Sequence, residues 1–203
     1  RDRTAQVARE LGVPLTIMEP EAAYLDLVRA PRFGRGRRAN PCIDCRIYMT
    51  RQAFRFMKEV DAQFVITGEV LGQRPMSQKR RDLATVSHFS GHFDLLLRPL
   101  SAQCLPPTRP ERERWIDRDR LCGFTGRGRR PLIELAHSLG IHTIPSPSSG
   151  CVLTDKHFSH RVFDLLHHHP SGGPWDFELL KHGRHFRYDE ESKVVIGRRE
   201  TEN

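Results

Sequence analysis

Residues 62–68 read AQFVITG, and this short stretch decides the fold that the sequence predicts. Its Phe-Val-Ile centre is typical of a buried strand, and a glycine ends it. A polar, basic run follows over residues 68–83, GEVLGQRPMSQKRRDL, before a predicted helix at Leu83–Phe89 and a second strand at Leu95–Arg98. Strands that alternate with helices indicate an α/β protein built on a parallel sheet.

The polar run after the first strand is a candidate binding loop. In open α/β sheets, ligands bind in the crevice outside the carboxyl ends of the strands. Arginine, lysine and hydroxyl groups there suit a nucleotide phosphate or an adenine. The predicted cofactor-binding residues are Thr67, Gly68, Glu69, Gln73, Arg74, Ser77 and Gln78. A polar surface loop without a ligand explains the same composition equally well.

The flanking segments continue the α/β pattern. Helices are predicted at Thr4–Leu11, Glu19–Val28, Ile43–Met57, Glu111–Asp119, Leu132–Leu139 and Phe158–Leu166, and a short strand at Val13–Ile17. After the turn-forming PSGGP stretch, two strands at Arg184–Tyr188 and Lys193–Gly197 form a predicted hairpin. We therefore expect a domain over residues 1–169, a linker over 170–174 and a C-terminal segment over 175–203.

The stretch NPCIDC, residues 40–45, places two thiols three positions apart. Cys45 is predicted in the first turn of the next helix, where free amide groups and the helix dipole favour a thiolate, so we expect its pKa to be lowered. Cys151 follows in a Gly/Ser loop that allows close backbone approach to a metal or substrate.

Three kinds of chemistry suit these thiols. A three-cysteine iron–sulfur cluster would leave one iron open. A sulfur relay would carry a persulfide on one thiol and resolve it with another. A structural zinc site needs four ligands, so Cys104, Cys122 or a histidine would have to join. Buried, inert thiols are a reasonable alternative for Cys104 and Cys122.

The charge balance predicts a polyanionic partner. The 203-residue chain has 33 Lys and Arg against 25 Asp and Glu, a net charge of +8, and its arginines cluster beside glycines. Guanidinium groups pair with phosphate, although a solvated surface explains any single cluster as well. The predicted RNA-binding residues are Arg35, Arg37, Arg38, Arg127, Arg129, Arg130, Arg184 and Arg187.

The cysteine count, the apolar runs and a histidine tract give further indications of the compartment and the chemistry. An odd number of cysteines, five at irregular spacing, indicates a reducing compartment, so we expect a cytoplasmic protein. The chain has no apolar run near 18 residues, which excludes a membrane span of the usual kind. The tract His167–His169 suits either a metal or a helix end, where imidazole complements the dipole; the helix end is favoured.

Four motifs together resemble a known family. NPCIDC, TGEVLGQRPMSQ, GRGRRPLIELA and PSPSSGCVLTD are similar to segments of the PP-loop ATP pyrophosphatases that thiolate tRNA, the 2-thiouridylases and 4-thiouridine synthetases. The tail from GRHFRY to KVVIGRRETEN resembles the start of an NFACT-R RNA-binding domain. The resemblance covers roughly residues 31–203.

The resemblance implies a fold and a mechanism. The fold would be the Rossmann-like parallel sheet of the adenine nucleotide α-hydrolases. ATP with Mg²⁺ would adenylate a tRNA base, and sulfur from a donor would displace AMP. Cys42, Cys45 and Cys151 match the positions that hold a 4Fe–4S cluster, with Cys42 and Cys151 as catalytic residues. Whether the chain forms a homodimer stays open.

One departure from the family is clear. Its pyrophosphate-binding SGGxDS signature is absent, so either the chain is a fragment, with the signature upstream of Arg1, or its ATP chemistry is impaired; Arg1 in place of a methionine favours the fragment. The main alternative is a non-catalytic RNA-binding protein with a structural metal site. A third is a ligase-like relative that adenylates a substrate other than RNA.

Overall fold

A computed structural model describes residues 2–144 and 151–199 of the chain. The chain divides into two compact units. The first unit comprises Arg1–Pro20 and Thr50–Ser149, and the second comprises Glu21–Met49 and Gly150–Asn203.

Helices outnumber strands in the described part of the chain. The helices are α1 (Asp2–Glu10), α2 (Ala22–Arg29), α3 (Cys42–Glu59), α4 (Arg80–Phe89), α5 (Arg109–Arg112), α6 (Arg130–Ser138), α7 (Lys156–His168) and α8 (Pro174–Leu179). The strands are β1 (Val65–Ile66), β2 (Leu96–Leu97), β3 (Arg184–Arg187) and β4 (Lys193–Ile196). Short 3-10 segments occupy Phe93–Leu95, Pro99–Cys104, Arg118–Arg120 and Val152–Thr154.

The first unit contains a small parallel sheet. Strand β1 pairs with β2 in parallel, with Val65 opposite Leu96, and α4 forms part of the connection between them. Leu83 and Val86 of α4 are buried, as are both residues of β2. Parallel strands need a crossover connection, usually a helix, and the sequence supplies one here. The predicted strand–helix–strand order is confirmed, and the protein is a mixed helix-and-strand structure.

Two predicted elements differ from the structure. Val13–Ile17 is not a strand, and its apolar side chains are exposed. A strand needs a partner for its backbone hydrogen bonds, and none of the described strands pairs with this segment. The helix predicted at Glu111–Asp119 is also wrong. Helix α5 stops at Arg112, and the positive φ of Arg114, 58°, reverses the chain soon after.

The second unit has a core drawn from distant parts of the sequence. Its buried residues are Val28, Ala39, Leu153, Val162, Leu165 and Leu180. Tyr24, Phe158, Leu166 and Phe177 pack against them. Because Phe177 and Leu180 come after residues 170–174, the predicted linker lies within this unit and does not separate two cores. Segment 175–199 therefore packs with residues 21–49 and with α7.

One carboxylate fastens the β3–β4 hairpin to α7. Strand β3 pairs antiparallel with β4, as predicted. Asp164 of α7 accepts two hydrogen bonds of 2.9 Å from Arg187 and one of 2.6 Å from Lys193. These bonds hold the pKa of Asp164 well below its usual range, with the Arg187 hydrogen bonds as the largest cause.

Asp164→Asn is expected to lower the free energy of unfolding by about 1–2 kcal/mol at neutral pH, because Arg187 and Lys193 lose their shared anion. The folded pKa is depressed, so the stabilisation is present above the unfolded pKa of about 3.9 and is lost as the pH falls towards the folded pKa. Urea unfolding at pH 7 and pH 3 measures both values. The control is Asp26→Asn, whose carboxylate is 72% exposed beside Arg29; a pH-independent loss for Asp164→Asn contradicts the assignment.

No helix in residues 2–144 and 151–199 combines the length and the apolar character that a membrane crossing requires.

Candidate functional site

Cys45 lies in the first turn of α3, as predicted, and the helix begins one residue earlier than predicted, so that Cys42 also belongs to this turn. The helix begins at Cys42, and the backbone N–H of Cys45 donates to the carbonyl of Pro41 at 2.8 Å. Residues three apart on a helix are neighbours on one face, so the two half-buried thiols share a side of α3.

Asp44, between the two cysteines, fixes the approach of the preceding loop. Its carboxylate is 5% exposed and accepts the backbone N–H groups of Arg32 at 3.0 Å and Phe33 at 3.1 Å. A carboxylate in the first turn also complements the positive end of the helix dipole. The spacer of the C-x-x-C motif therefore holds the basic loop against the start of α3.

Cys151 belongs to the same unit, about a hundred residues further along the chain. Arg38, in the loop before Cys42, donates to the carbonyl of Thr154 at 2.9 Å. Ala39 and Leu153, the neighbours of these two residues, share the core of the second unit. Cys151 itself is exposed. Residues 145–150 of its predicted loop lie outside the described residues.

The charges of the three thiols interact. Burial is the largest cause that raises the pKa values of Cys45 and Tyr24, and a smaller part comes from charge repulsion, by the Cys151 and Cys42 sulfurs on Cys45 and by all three sulfurs on Tyr24. Such repulsion needs nearby groups, so the fold brings the three predicted cysteines into one site, the three-cysteine site.

The pKa of Cys45 is raised, so the predicted lowering is wrong. Burial is the largest cause, because the interior disfavours the charged thiolate more than the helix start favours it. The hydroxyl of Tyr24 lies 3.9 Å from the Cys45 sulfur, and this hydrogen bond opposes the shift. Cys45 therefore holds its proton more tightly than an exposed cysteine does, unless a cation takes the place of that proton.

The distances between the sulfurs can be compared with those that one bound metal ion requires. Four ligands at 2.3 Å around one zinc ion leave sulfurs about 3.8 Å apart. Within the described residues, the Cys42, Cys45 and Cys151 sulfurs do not all lie within 4.8 Å of one another. A cluster spreads its thiolates over several iron atoms and so holds them farther apart than one ion does. One ion bound to all three thiolates would therefore need the sulfurs to lie closer together than they do here.

Cys104 and Cys122, the other candidate thiols, belong to the first unit. Cys104 donates to the carbonyl of Gly123 at 3.3 Å, and both side chains are half-buried. This hydrogen-bonded setting fits the interpretation of inert thiols.

The predicted nucleotide loop is partly exposed and partly built into the first unit. Gly68 and Arg74 are exposed, and Thr67 and Gln73 are half-buried. The other three predicted residues, Glu69, Ser77 and Gln78, are each at most 4% exposed.

Hydrogen bonds within the loop explain this burial. The side-chain oxygen of Gln78 accepts a hydrogen bond from the backbone N–H of Arg74 at 3.1 Å. The backbone carbonyl of Gln78 accepts one from the N–H of Gly72 at 2.7 Å. Glu69 pairs with Arg98 at 2.9 Å, which joins the end of β1 to the end of β2. The exposed part of the loop is thus the part available to a ligand.

The basic segment at residues 127–130 lies beside this loop. Leu71 forms a parallel bridge with Thr125 and accepts the N–H of Gly126 at 2.7 Å. Gly72 packs so tightly there that an added Cβ would meet the Gly126 nitrogen at 3.3 Å. Of the three arginines that follow, Arg127 and Arg130 are exposed and Arg129 is half-buried. The fold therefore brings two separately predicted binding segments together.

The remaining predicted RNA-binding arginines divide into two groups. Arg37 and Arg184 are exposed. Arg35, Arg38 and Arg187 are engaged with the protein: Arg35 donates to the carbonyl of Val28 at 2.8 Å, and the other two bind Thr154 and Asp164. Part of the basic composition thus stabilises the second unit.

Comparisons with known proteins found no matching family model, no matching curated protein and no matching solved structure. Function is therefore inferred from the residues of the site.

Sequence reasoning missed Tyr24 and Asp44. Tyr24 stands in an ordinary amphipathic helix, 21 residues before Cys45, and its ring packs 5.6 Å from that of Tyr48. No local pattern predicts that contact. Asp44 carried a usable signal, because an acidic residue in a first helical turn commonly accepts backbone N–H groups.

Proposed function

We propose that the chain belongs to an ATP-dependent tRNA sulfurtransferase. The observation that supports this is the convergence of Cys42, Cys45 and Cys151 on one site of the second unit. Two half-buried thiols and one exposed thiol that share a site are suited to holding or passing sulfur. The resemblance of the surrounding motifs to tRNA thiolation enzymes gives the substrate class.

The reaction replaces a base carbonyl oxygen with sulfur. That oxygen attacks the α-phosphorus of ATP, and pyrophosphate leaves. A sulfur nucleophile then adds to the activated carbon, and AMP departs with the original oxygen. Adenylation is needed because hydroxide is a poor leaving group, and bound Mg²⁺ would supply positive charge that neutralises the phosphates.

We assign different roles to the three cysteines according to their surroundings. Cys45, whose thiol is half-buried beside Tyr24, serves as a ligand. Cys151 is exposed and Cys42 is half-buried, and these two are the catalytic candidates. A 4Fe–4S cluster bound to the three thiolates would supply an open iron that carries the transferable sulfur. A persulfide passed between Cys42 and Cys151 is the alternative route.

The first unit is the candidate nucleotide-binding part. Gly68 and Arg74 are exposed at the carboxyl end of β1, where ligands bind in α/β proteins. Arg127 and Arg130 extend this basic surface and would contact phosphate groups of ATP or tRNA. The Rossmann-like PP-loop fold is part of this proposal, and the β1–α4–β2 unit is consistent with it.

Deletion of the gene tests the proposed function. We expect one thionucleoside to disappear from total tRNA, measured by mass spectrometry, and to return when the natural protein is expressed from a plasmid. We also expect tRNA binding that weakens steeply with salt. An unchanged set of thionucleosides together with salt-sensitive binding would instead favour the RNA-binding protein with a structural metal. Absent or salt-insensitive binding would favour an adenylating enzyme with another substrate.

A further inference from the structure

The end of α7 places two imidazoles beside the turn of the β3–β4 hairpin. His167 and His168 are the last two residues of the helix, and Glu190 lies in the turn. One ligand atom from each of the three residues lies within 4.8 Å of the other two. This group is separate from the three cysteines and does not depend on the proposed thiolation activity.

A hydrogen bond fixes the orientation of His168. Its Nδ1 lies 2.9 Å from the backbone carbonyl of Asp164. A carbonyl only accepts, so Nδ1 carries the proton, and in neutral histidine Nε2 then presents a lone pair. That Nε2 lies 3.2 Å from a carboxylate oxygen of Glu190. Two acceptors that face each other at this distance need a cation between them or a second proton on the imidazole.

We propose that His167, His168 and Glu190 bind a divalent metal ion of the zinc class. Two imidazoles and one carboxylate form a donor set that zinc uses, with a fourth position left for water. Nitrogen-rich sites also accept cobalt, nickel and copper. The carbonyl behind His168 is the usual outer partner of a metal-bound histidine, because it fixes the tautomer and the direction of the ring.

The site joins two elements that the protein already holds together. Asp164 binds Arg187 of β3 and Lys193 of β4, and the metal would bind the turn that joins these two strands. The turn is ordered by Asp189, which accepts the N–H groups of Glu191 at 2.9 Å and Ser192 at 2.6 Å. A metal at Glu190 would therefore stabilise a turn of defined shape. Bound there, the metal would hold the turn of the hairpin against the end of α7.

Cobalt titration of the natural protein, with its cysteines intact, tests the proposal. Cobalt bound to thiolates gives strong sulfur-to-metal charge-transfer bands, whereas a His/His/Glu site gives none, so the two classes of site separate in one spectrum. We expect the wild-type protein to bind one more Co²⁺ per chain than Glu190→Gln, with the charge-transfer bands equal in both. Zn²⁺ should displace the additional Co²⁺.

Two further variants complete the design. His168→Asn keeps a donor for the Asp164 carbonyl and removes Nε2, so it should weaken this one site by about tenfold or more. His160→Gln, an exposed histidine on the same helix, is the matched control and should bind as the wild type. The proposal is overturned if Glu190→Gln and His168→Asn bind cobalt with wild-type stoichiometry and affinity. His168 would then be an imidazolium paired with Glu190. Because Glu190 is 86% exposed, its substitution should not disturb folding.

Discussion

Serine in place of Cys42, Cys45 or Cys151 is expected to lower thionucleoside formation about 100-fold or more. A serine hydroxyl neither ligates iron in place of a thiolate nor carries transferable sulfur. If the thiols hold a cluster, each of the three residues is needed, because a cluster with one open iron has no ligand to spare; in a relay, the loss is expected for Cys42 and Cys151. The size of this effect follows from the chemistry, since outer-shell substitutions alone typically cost 10–100-fold at metal sites.

The measurement is mass spectrometry of tRNA nucleosides from cells in which each variant replaces the natural protein. Cys104→Ser and Cys122→Ser are the matched controls. They remove half-buried thiols from the first unit and should leave the thionucleoside in place. Thionucleoside levels that are unchanged in all three site variants would refute the proposed function.

Iron content separates the two forms of sulfur chemistry. If the thiols hold a cluster, anaerobically purified wild-type protein is brown, and every one of the three variants loses iron and colour. If they form a relay, the wild-type protein is colourless, and a persulfide accumulates on one cysteine when its resolving partner is serine. Both outcomes keep the sulfurtransferase proposal and assign different roles to Cys45.

The second large effect concerns the buried ion pair between Glu69 and Arg98. Arg98→Met is expected to lower the free energy of unfolding by about 3–5 kcal/mol. The two side chains are 4% and 6% exposed, so the variant leaves a carboxylate in the interior without its cation. Arg98 also donates to Ser87 at 2.9 Å and to the carbonyl of Leu83, and both acceptors lose their donor.

Urea unfolding measures the loss, and two further variants interpret it. The double variant Glu69→Gln/Arg98→Met removes both charges and should recover part of the stability, because no uncompensated charge remains buried. Arg112→Met removes a guanidinium that pairs bidentately with Asp94 near the surface, where both side chains are at least 30% exposed. It should cost much less, since water replaces the lost partner. A wild-type unfolding curve for Arg98→Met would show that the pair is not a determinant of stability.

The strands and helices that carry strong local patterns were predictable. β1 has a continuous apolar centre, β2 repeats it, and the α4 helix between them dictates parallel pairing. The β3–β4 hairpin follows from two alternating runs around an acidic turn. Val13–Ile17 has the same local character as a strand, but pairing is a non-local event, and the fold supplies no partner among the described strands.

The candidate site was predictable in its residue types and less so in its surroundings. The position of Cys45 in a first helical turn follows from local sequence, whereas its burial depends on tertiary packing against Tyr24. That burial reverses the direction of the pKa shift. Glu69 was a plausible ligand by its place after β1. Its actual partner, Arg98, lies 29 residues away and has no local signal.

The contacts of Asp44 restrict which residues can stand between the two cysteines of the C-x-x-C motif. Because its carboxylate accepts the N–H groups of both Arg32 and Phe33, the second spacer position of the C-x-x-C motif is constrained by structure. Asparagine has only one side-chain oxygen and no charge. Glutamate has a carboxylate, but its side chain is one methylene longer and places the oxygens elsewhere. A search for chains with the same connection between loop and helix should therefore use C-x-D-C preceded by a proline, which is rarer by chance than two cysteines at that spacing.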